Sequence, residues 1–188
     1  MTNTTVSRLG QTVRVAARCS IAPILRAAGF AFTIKRHLSG HYEEAQGTLV
    51  GSPRRNDAAI MAGIAALEAA NASYPTTLLT PCTMLAAALE APMGELIAAK
   101  SMDLETLAHA VALKEIAAEY TAGLRVICTE DRPPTKTMVA LSEAAQHEAN
   151  TTAAERLQGL LDGHEQKEAR DHLSFHSRAR GAYDHCPC

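Results

Sequence analysis

The stretch HLSFHSRARGAYDHCPC, residues 172–188, holds His172 and His176 with three residues between them, followed by His185, Cys186 and Cys188. Imidazole and thiolate are the ligands zinc prefers, so the residue types suit a tetrahedral zinc site. The spacing suits it less well, because Cys-x-Cys is tighter than the usual Cys-x2-Cys pair. The stretch is therefore read as a polar terminal tail with no metal assigned. Other chemistry finds little footing. No Gly-rich phosphate loop follows a strand, since GFAFTIKRHLSG has the wrong glycine spacing. No Gly-x-Ser-x-Gly elbow is present. His109 sits among Ala and Leu in a helical stretch and reads as a partly buried surface residue, not a catalyst.

Composition sets the scaffold. At 188 residues the chain can build one domain with a real core and extensions. Four Tyr and three Phe are its only aromatics, and much of the apolar content is alanine, which favours helices but buries little area. The core must rest on Leu, Ile, Val and Met, which predicts thin packing. A net charge of −2 argues against a strongly cationic surface overall. Locally the charge is uneven: Met1 to Tyr42 carries no Asp or Glu but has Arg8, Arg14, Arg18, Arg26, Lys35 and Arg36. Such a start also fits a mitochondrial transit segment, although Val13 to Ala17 reads better as a strand. Five scattered cysteines without a secretory signal point to a reducing intracellular compartment and to thiols used as small packing groups. No apolar run approaches membrane-spanning length without a break or charge.

Patterning then orders the elements. TVRVAARCS (12–20), GFAFTIKRH (29–37) and HYEEAQGTLVG (41–51) read as three strands, the last two joined by an LSG turn. A helix starts near Asn56 or Asp57, either of which can cap it, and Ile60, Ile64 and Leu67 give it a buried stripe. TTLLTPCT is a buried parallel strand. MLAAALEAPMGELIAAKS is helical with a break at Pro92. DLETLAHAVALKEIAAEYTAG is a helix capped by Asp103 and stopped at Gly123, with Leu104, Leu107, Val111 and Ile116 as its apolar face. LRVICTE is a further strand, KTMVAL a candidate for an additional short strand after the DRPPT loop, and TTAAERLQGLLDG a last amphipathic helix. Three leading strands form a meander, and strands reached through helices pair in parallel by right-handed crossovers. The fold class is α/β, a mixed five-stranded sheet flanked by helices.

That order, and several short motifs within it, resemble the ribonuclease H family. The family opens on a strand ending in a metal-binding aspartate, and VRVAARCS is similar to it with Arg18 in the aspartate's place. Its glutamate helix runs Asn-Arg-x-Glu to Ala-Leu, and RRNDAAIMAGIAALE resembles that helix with Ala59 at the glutamate. Its fourth strand ends Thr-Asp-Ser, where LLTPCT offers Pro81. Its closing segment reads His-x-x-Asn-x-x-Ala-Asp, and HEANTTAA keeps His147, Asn150 and Ala153 with Ala154 for the aspartate. The resemblance spans residues 12 to about 160. The tail resembles the segment after the ribonuclease H domain of some non-long-terminal-repeat retroelements, where Cys-Pro-x-Cys opens a zinc motif, and this implies a retroelement-derived remnant.

The family's chemistry needs two divalent cations held by carboxylates. With Arg, Ala, Pro and Ala at the four places, the resemblance implies a pseudoenzyme with no cofactor. Arg18, Arg54, Arg55 and Asn56 would lie around the former substrate face, with His147 and Asn150 on the final loop, where such side chains can hold phosphates without cutting them. The competing reading makes Arg54 and Arg55 solvated connector charges and Arg18 the partner of an acid such as Glu155. The function expected is RNA or ribonucleoprotein binding within a larger assembly, without a small-molecule substrate. The alternatives are a purely protein-binding structural subunit, and a metal-dependent nuclease using a displaced set of Asp57, Glu68 and Glu155. Residues 1–11 form a basic N-terminal arm, 12–162 the domain, and 163–188 the His/Cys-containing tail.

Overall fold

The computed structural model describes residues 10–20, 25, 27–49, 54–98 and 103–181, with side chains described as far as residue 164. The basic arm up to residue 9, and His185, Cys186 and Cys188, lie outside the described residues. Strand β1 (Gln11–Cys19) occupies the centre of a five-stranded sheet ordered β3-β2-β1-β4-β5. β2 (Ala28–Arg36) and β3 (Tyr42–Thr48) continue from it as an antiparallel meander. β4 (Thr76–Thr80) and β5 (Leu124–Cys128) lie on its other side, both parallel. The expected mixed α/β sheet is the one observed.

Alternation along β1 divides the core. Val13 and Val15 face α1 (Arg55–Ala69), α2 (Thr83–Glu90) and α4 (Leu104–Ala118), where they pack with Ile34, Ile60, Leu67, Leu78, Leu85 and Leu113. Ala16 faces the opposite way, onto α5 (Lys136–Gly181). There the core is only Ala16, Ala31, Met138, Leu141 and Ala145, so the thin packing foreseen from the alanine content falls mainly on this side. The helix compensates by approaching closely. A Cβ added at Gly29 of β2 would meet the Ala145 carbonyl oxygen, the Ala149 amide nitrogen and Glu148 Cβ, all well inside van der Waals contact.

Pro92 separates α2 from α3 (Met93–Ala98), and Asp103 caps α4 by accepting from Thr106 N at 2.9 Å, both as the sequence suggests. Four readings need correcting. KTMVAL is the start of α5, not a strand: Met138, Leu141, Ala145 and Ala149 are buried at helical spacing, a period that six residues are too few to reveal. The same helix absorbs TTAAERLQGLLDG and continues unbroken past residue 162 to Gly181, roughly 70 Å at the usual rise. On α4 the buried face is Thr106, Ala110 and Leu113, whereas Leu104 is 87% exposed and Val111 39%. Finally, α1 begins at Arg55 with Arg54 as an N-cap that makes no side-chain hydrogen bond, so neither Asn56 nor Asp57 caps it. Among the described residues no helix is long and apolar enough to cross a membrane.

Tyr120, just beyond α4, ties the layers together by donating its hydroxyl to the Leu67 carbonyl at the end of α1. Burial pushes this phenol up to about 12, with the Glu119 charge adding to it. The folded state thus favours the neutral phenol. Its contribution to stability is complete below the ordinary phenol value near 10 and is lost as pH rises through about 12. Phenolate absorbance should show one tyrosine titrating late, and Tyr120→Phe should delete that step. Gly29→Ala should lower stability by about 1–3 kcal/mol in urea unfolding, because the backbone of α5 must move to admit a methyl group.

Candidate nucleic-acid interface

β1, β4 and β5 run parallel, so their C-terminal ends share one edge of the sheet, where open α/β sheets place their ligands. The start of α1 comes to the same edge. A cavity of about 210 Å³ opens there, lined by Ala17, Arg18, Arg55, Asn56, Ala59, Pro81, Cys82, Thr83 and Glu130. Ala59 is buried, and Ala17 and Pro81 are half-buried. These small or rigid groups leave the depth of the cavity unfilled. Arg55, Asn56, Thr83 and Glu130 are exposed and surround it.

Arg18 enters from β1, and its Nη2 donates to Ser142 Oγ on α5 at 3.3 Å. Neither α1 nor α2 has a side-chain cap, so both begin beside the cavity with first-turn N–H groups that no capping side chain takes. Thr80 Oγ1 accepts from Cys82 N at 3.1 Å, which holds the turn after β4. Burial pushes the Cys19 thiol up, and the Arg55 charge opposes this only in part, so the thiol next to the site stays protonated at neutral pH. Cys19, Cys82 and Cys128 are unbridged and each half-buried, more exposed than packing thiols were expected to be.

Of the residues singled out in the sequence, Arg18, Arg55 and Asn56 meet at the cavity. Arg54 turns the other way and pairs with Asp103 at the start of α4, 3.1 Å apart. The Thr106 hydrogen bonds hold the Asp103 carboxyl below its ordinary range, and the Arg54 charge adds a smaller push. His147 and Asn150 lie in the middle of α5, not on a loop, because α5 already starts at Lys136. Asn150 Oδ1 accepts from Gln146, whose amide also reaches the Cys19 carbonyl, while His147 is exposed. Ala154 lies twelve residues beyond Ser142, about 18 Å along the helix. Ser142, and not Ala154, is therefore the α5 side chain that meets Arg18.

Asp57 and His109 form a contact the sequence did not reveal. Asp57 is buried one turn into α1, and its Oδ1 accepts from His109 Nδ1 of α4 at 2.6 Å. Residues 54 and 57 of one helical turn thus hold α4, while 55 and 56 line the cavity. Glu68 stands near the far end of α1, about 20 Å from its start, and Glu155 is on an exposed turn of α5. The displaced carboxylates Asp57, Glu68 and Glu155 are not gathered. Among the described residues no three His, Cys, Asp or Glu side chains come close enough to share a metal ion.

No protein-family model matches the sequence, and no curated protein matches it either. Solved structures do. The N-terminal RNase H domain of a Mycobacterium tuberculosis protein superposes with a TM-score of 0.55 at 14% identity, over 77% of this chain and 97% of that one. The fold is that of ribonuclease H. RNase H1 from the halophilic archaeon Halobacterium salinarum gives 0.52 at 16% identity, over 74% and 96%. LC11-RNase H1, solved with an RNA/DNA hybrid, gives 0.53 at 14% identity, over 75% and 97%. A ribonuclease H edge suited to two divalent cations needs several carboxylates. Here the cavity offers Glu130 beside two guanidiniums, a donor set that does not fit them.

Breaking the α1–α4 contact should be a matter of stability and not of binding. Asp57→Ala should cost about 2 kcal/mol in chemical unfolding and leave nucleic-acid affinity within twofold, since its side chain faces away from the cavity.

Proposed function

We propose that this chain is a ribonuclease H-fold protein that binds RNA or a ribonucleoprotein through this edge and does not cut it. One observation carries the reading: Arg18 and Arg55 flank a cavity floored by Ala59 and Pro81, at the places where the family resemblance puts metal-binding carboxylates. Phosphodiester cleavage by two metals needs negative oxygen ligands, whereas guanidiniums repel cations and hold phosphate oxygens in bidentate pairs. LC11-RNase H1 and a foamy viral protease–reverse transcriptase, 20% of whose chain superposes on this one, were each solved with an RNA/DNA hybrid, which supports nucleic acid as the ligand class.

Fluorescence anisotropy of the full chain with RNA and hybrid duplexes, titrated from roughly 50 to 200 mM salt, tests this. Affinity should fall steeply, and Arg18→Ala with Arg55→Ala should reduce the slope of log K against log salt by about 1–2. Mg²⁺ or Mn²⁺ should produce no cleavage. Cleavage would overturn the reading in favour of a nuclease, and absent or salt-insensitive binding would favour a protein-docking subunit.

A further inference from the structure

We propose that the cavity is an end-recognition site, which takes the terminal phosphate of a nucleic-acid strand. This rests on the binding reading and makes it narrower. The first argument is size. At about 210 Å³ the cavity falls below the roughly 300–1,000 Å³ of ordinary small-molecule pockets, so it has room for a phosphate group but not for a nucleotide.

The second argument is shape. The floor is Ala17, Ala59 and Pro81, small or rigid groups that leave room for a compact group to reach it. An internal phosphodiester is held at the mouth by the sugars on both sides of it. A terminal monoester has one sugar and three unsubstituted oxygens, and can descend.

The third argument is charge. A phosphomonoester carries about 1.5 to 2 negative charges at neutral pH, against one for a diester. Arg18 and Arg55 come from different elements and can approach different oxygens. Asn56 and Thr83 add neutral donors at the rim. Glu130 offsets one cation, and the start of α2, with no acidic residue in its first turn, returns roughly half a unit of positive charge, while at α1 Asp57 takes up that helix's share. The surplus matches a dianion better than a monoanion. Glu130 itself is an acceptor at the mouth, placed for a sugar hydroxyl of the terminal nucleotide and not for its phosphate.

The test uses the full chain and labelled single strands of one sequence, as RNA and as DNA, bearing a 5′-phosphate, a 3′-phosphate or only hydroxyl ends. A phosphorylated end should bind at least tenfold more tightly than hydroxyl ends, and inorganic phosphate should compete that advantage away. Arg55→Ala, at an exposed position, and Ala59→Glu, which places a carboxylate in the floor, should each abolish the preference. Arg125→Ala, at the opposite end of the sheet, should keep it while removing the same charge. Equal binding of all strands would overturn end recognition and leave nucleic-acid binding intact. Failure of every strand to bind at low salt would overturn both.

Discussion

The contact between the backbone of α5 and β2 at Gly29 governs much of this molecule. Helices usually stand off a sheet on large side chains, yet opposite Gly29 the residues of α5 are Ala145 and Ala149, and the separation there is set by main-chain atoms. That closeness has consequences at the functional edge. With α5 seated at Ala145 and Ala149, Gln146 is brought to the Cys19 carbonyl and Ser142 to Arg18. The end of β1, which carries the most deeply placed cation of the cavity, is thus held from the α5 side as well as by its own sheet partners. A bulkier helix would gain apolar area and lose this positioning.

The opposite face is built on different terms. α1 is richer still in alanine, but it lies against Ile34, Leu78, Leu85 and Leu113, and the larger core sits there. Its rotation about its own axis is fixed at the first turn by Asp57 to His109 and Arg54 to Asp103. Adjacent residues of that turn therefore serve separate purposes, two toward α4 and two toward the cavity. Helix packing and cavity lining are divided within four consecutive residues. This is why a glance at the basic pair Arg54-Arg55 suggests one patch, when the side chains diverge.

Much of the fold could be read from the chain because β1 is valine-bearing and alternating, because the LSG turn marks the β2–β3 hairpin, and because Pro92 and Gly123 punctuate the helices. What escaped has physical causes. The face of α4 was misjudged since Thr106 and Ala110 are buried and Leu104 is not, so hydrophobicity was a poor guide to direction. KTMVAL is too short to separate a period of two from one of 3.6 without the residues beyond it. At the site, Arg18, Ala59 and Pro81 were legible through a family pattern tied to strand ends and a helix start. Ser142 was not, because the segment after the cap residue Thr135 reads on its own as a strand, and the likeness of HEANTTAA to a family motif drew attention several turns too far along. The Asp57–His109 contact joins residues 52 apart on two separate helices, a pairing no periodicity announces.

The bond from Arg18 to Ser142 also bears on how this surface can change over evolutionary time. Substitutions toward a cation-binding edge would be order-dependent. A carboxylate arriving at position 59 or 81 while Arg18 remains would meet a guanidinium and form an internal ion pair, filling the cavity and creating no ligand set. Arg18 would have to be lost first, and that step by itself would free Ser142 and slacken the hold of α5 on β1 with no catalytic return. A carboxylate at position 59 or 81 is therefore not by itself a step toward a cation-binding edge while Arg18 is present.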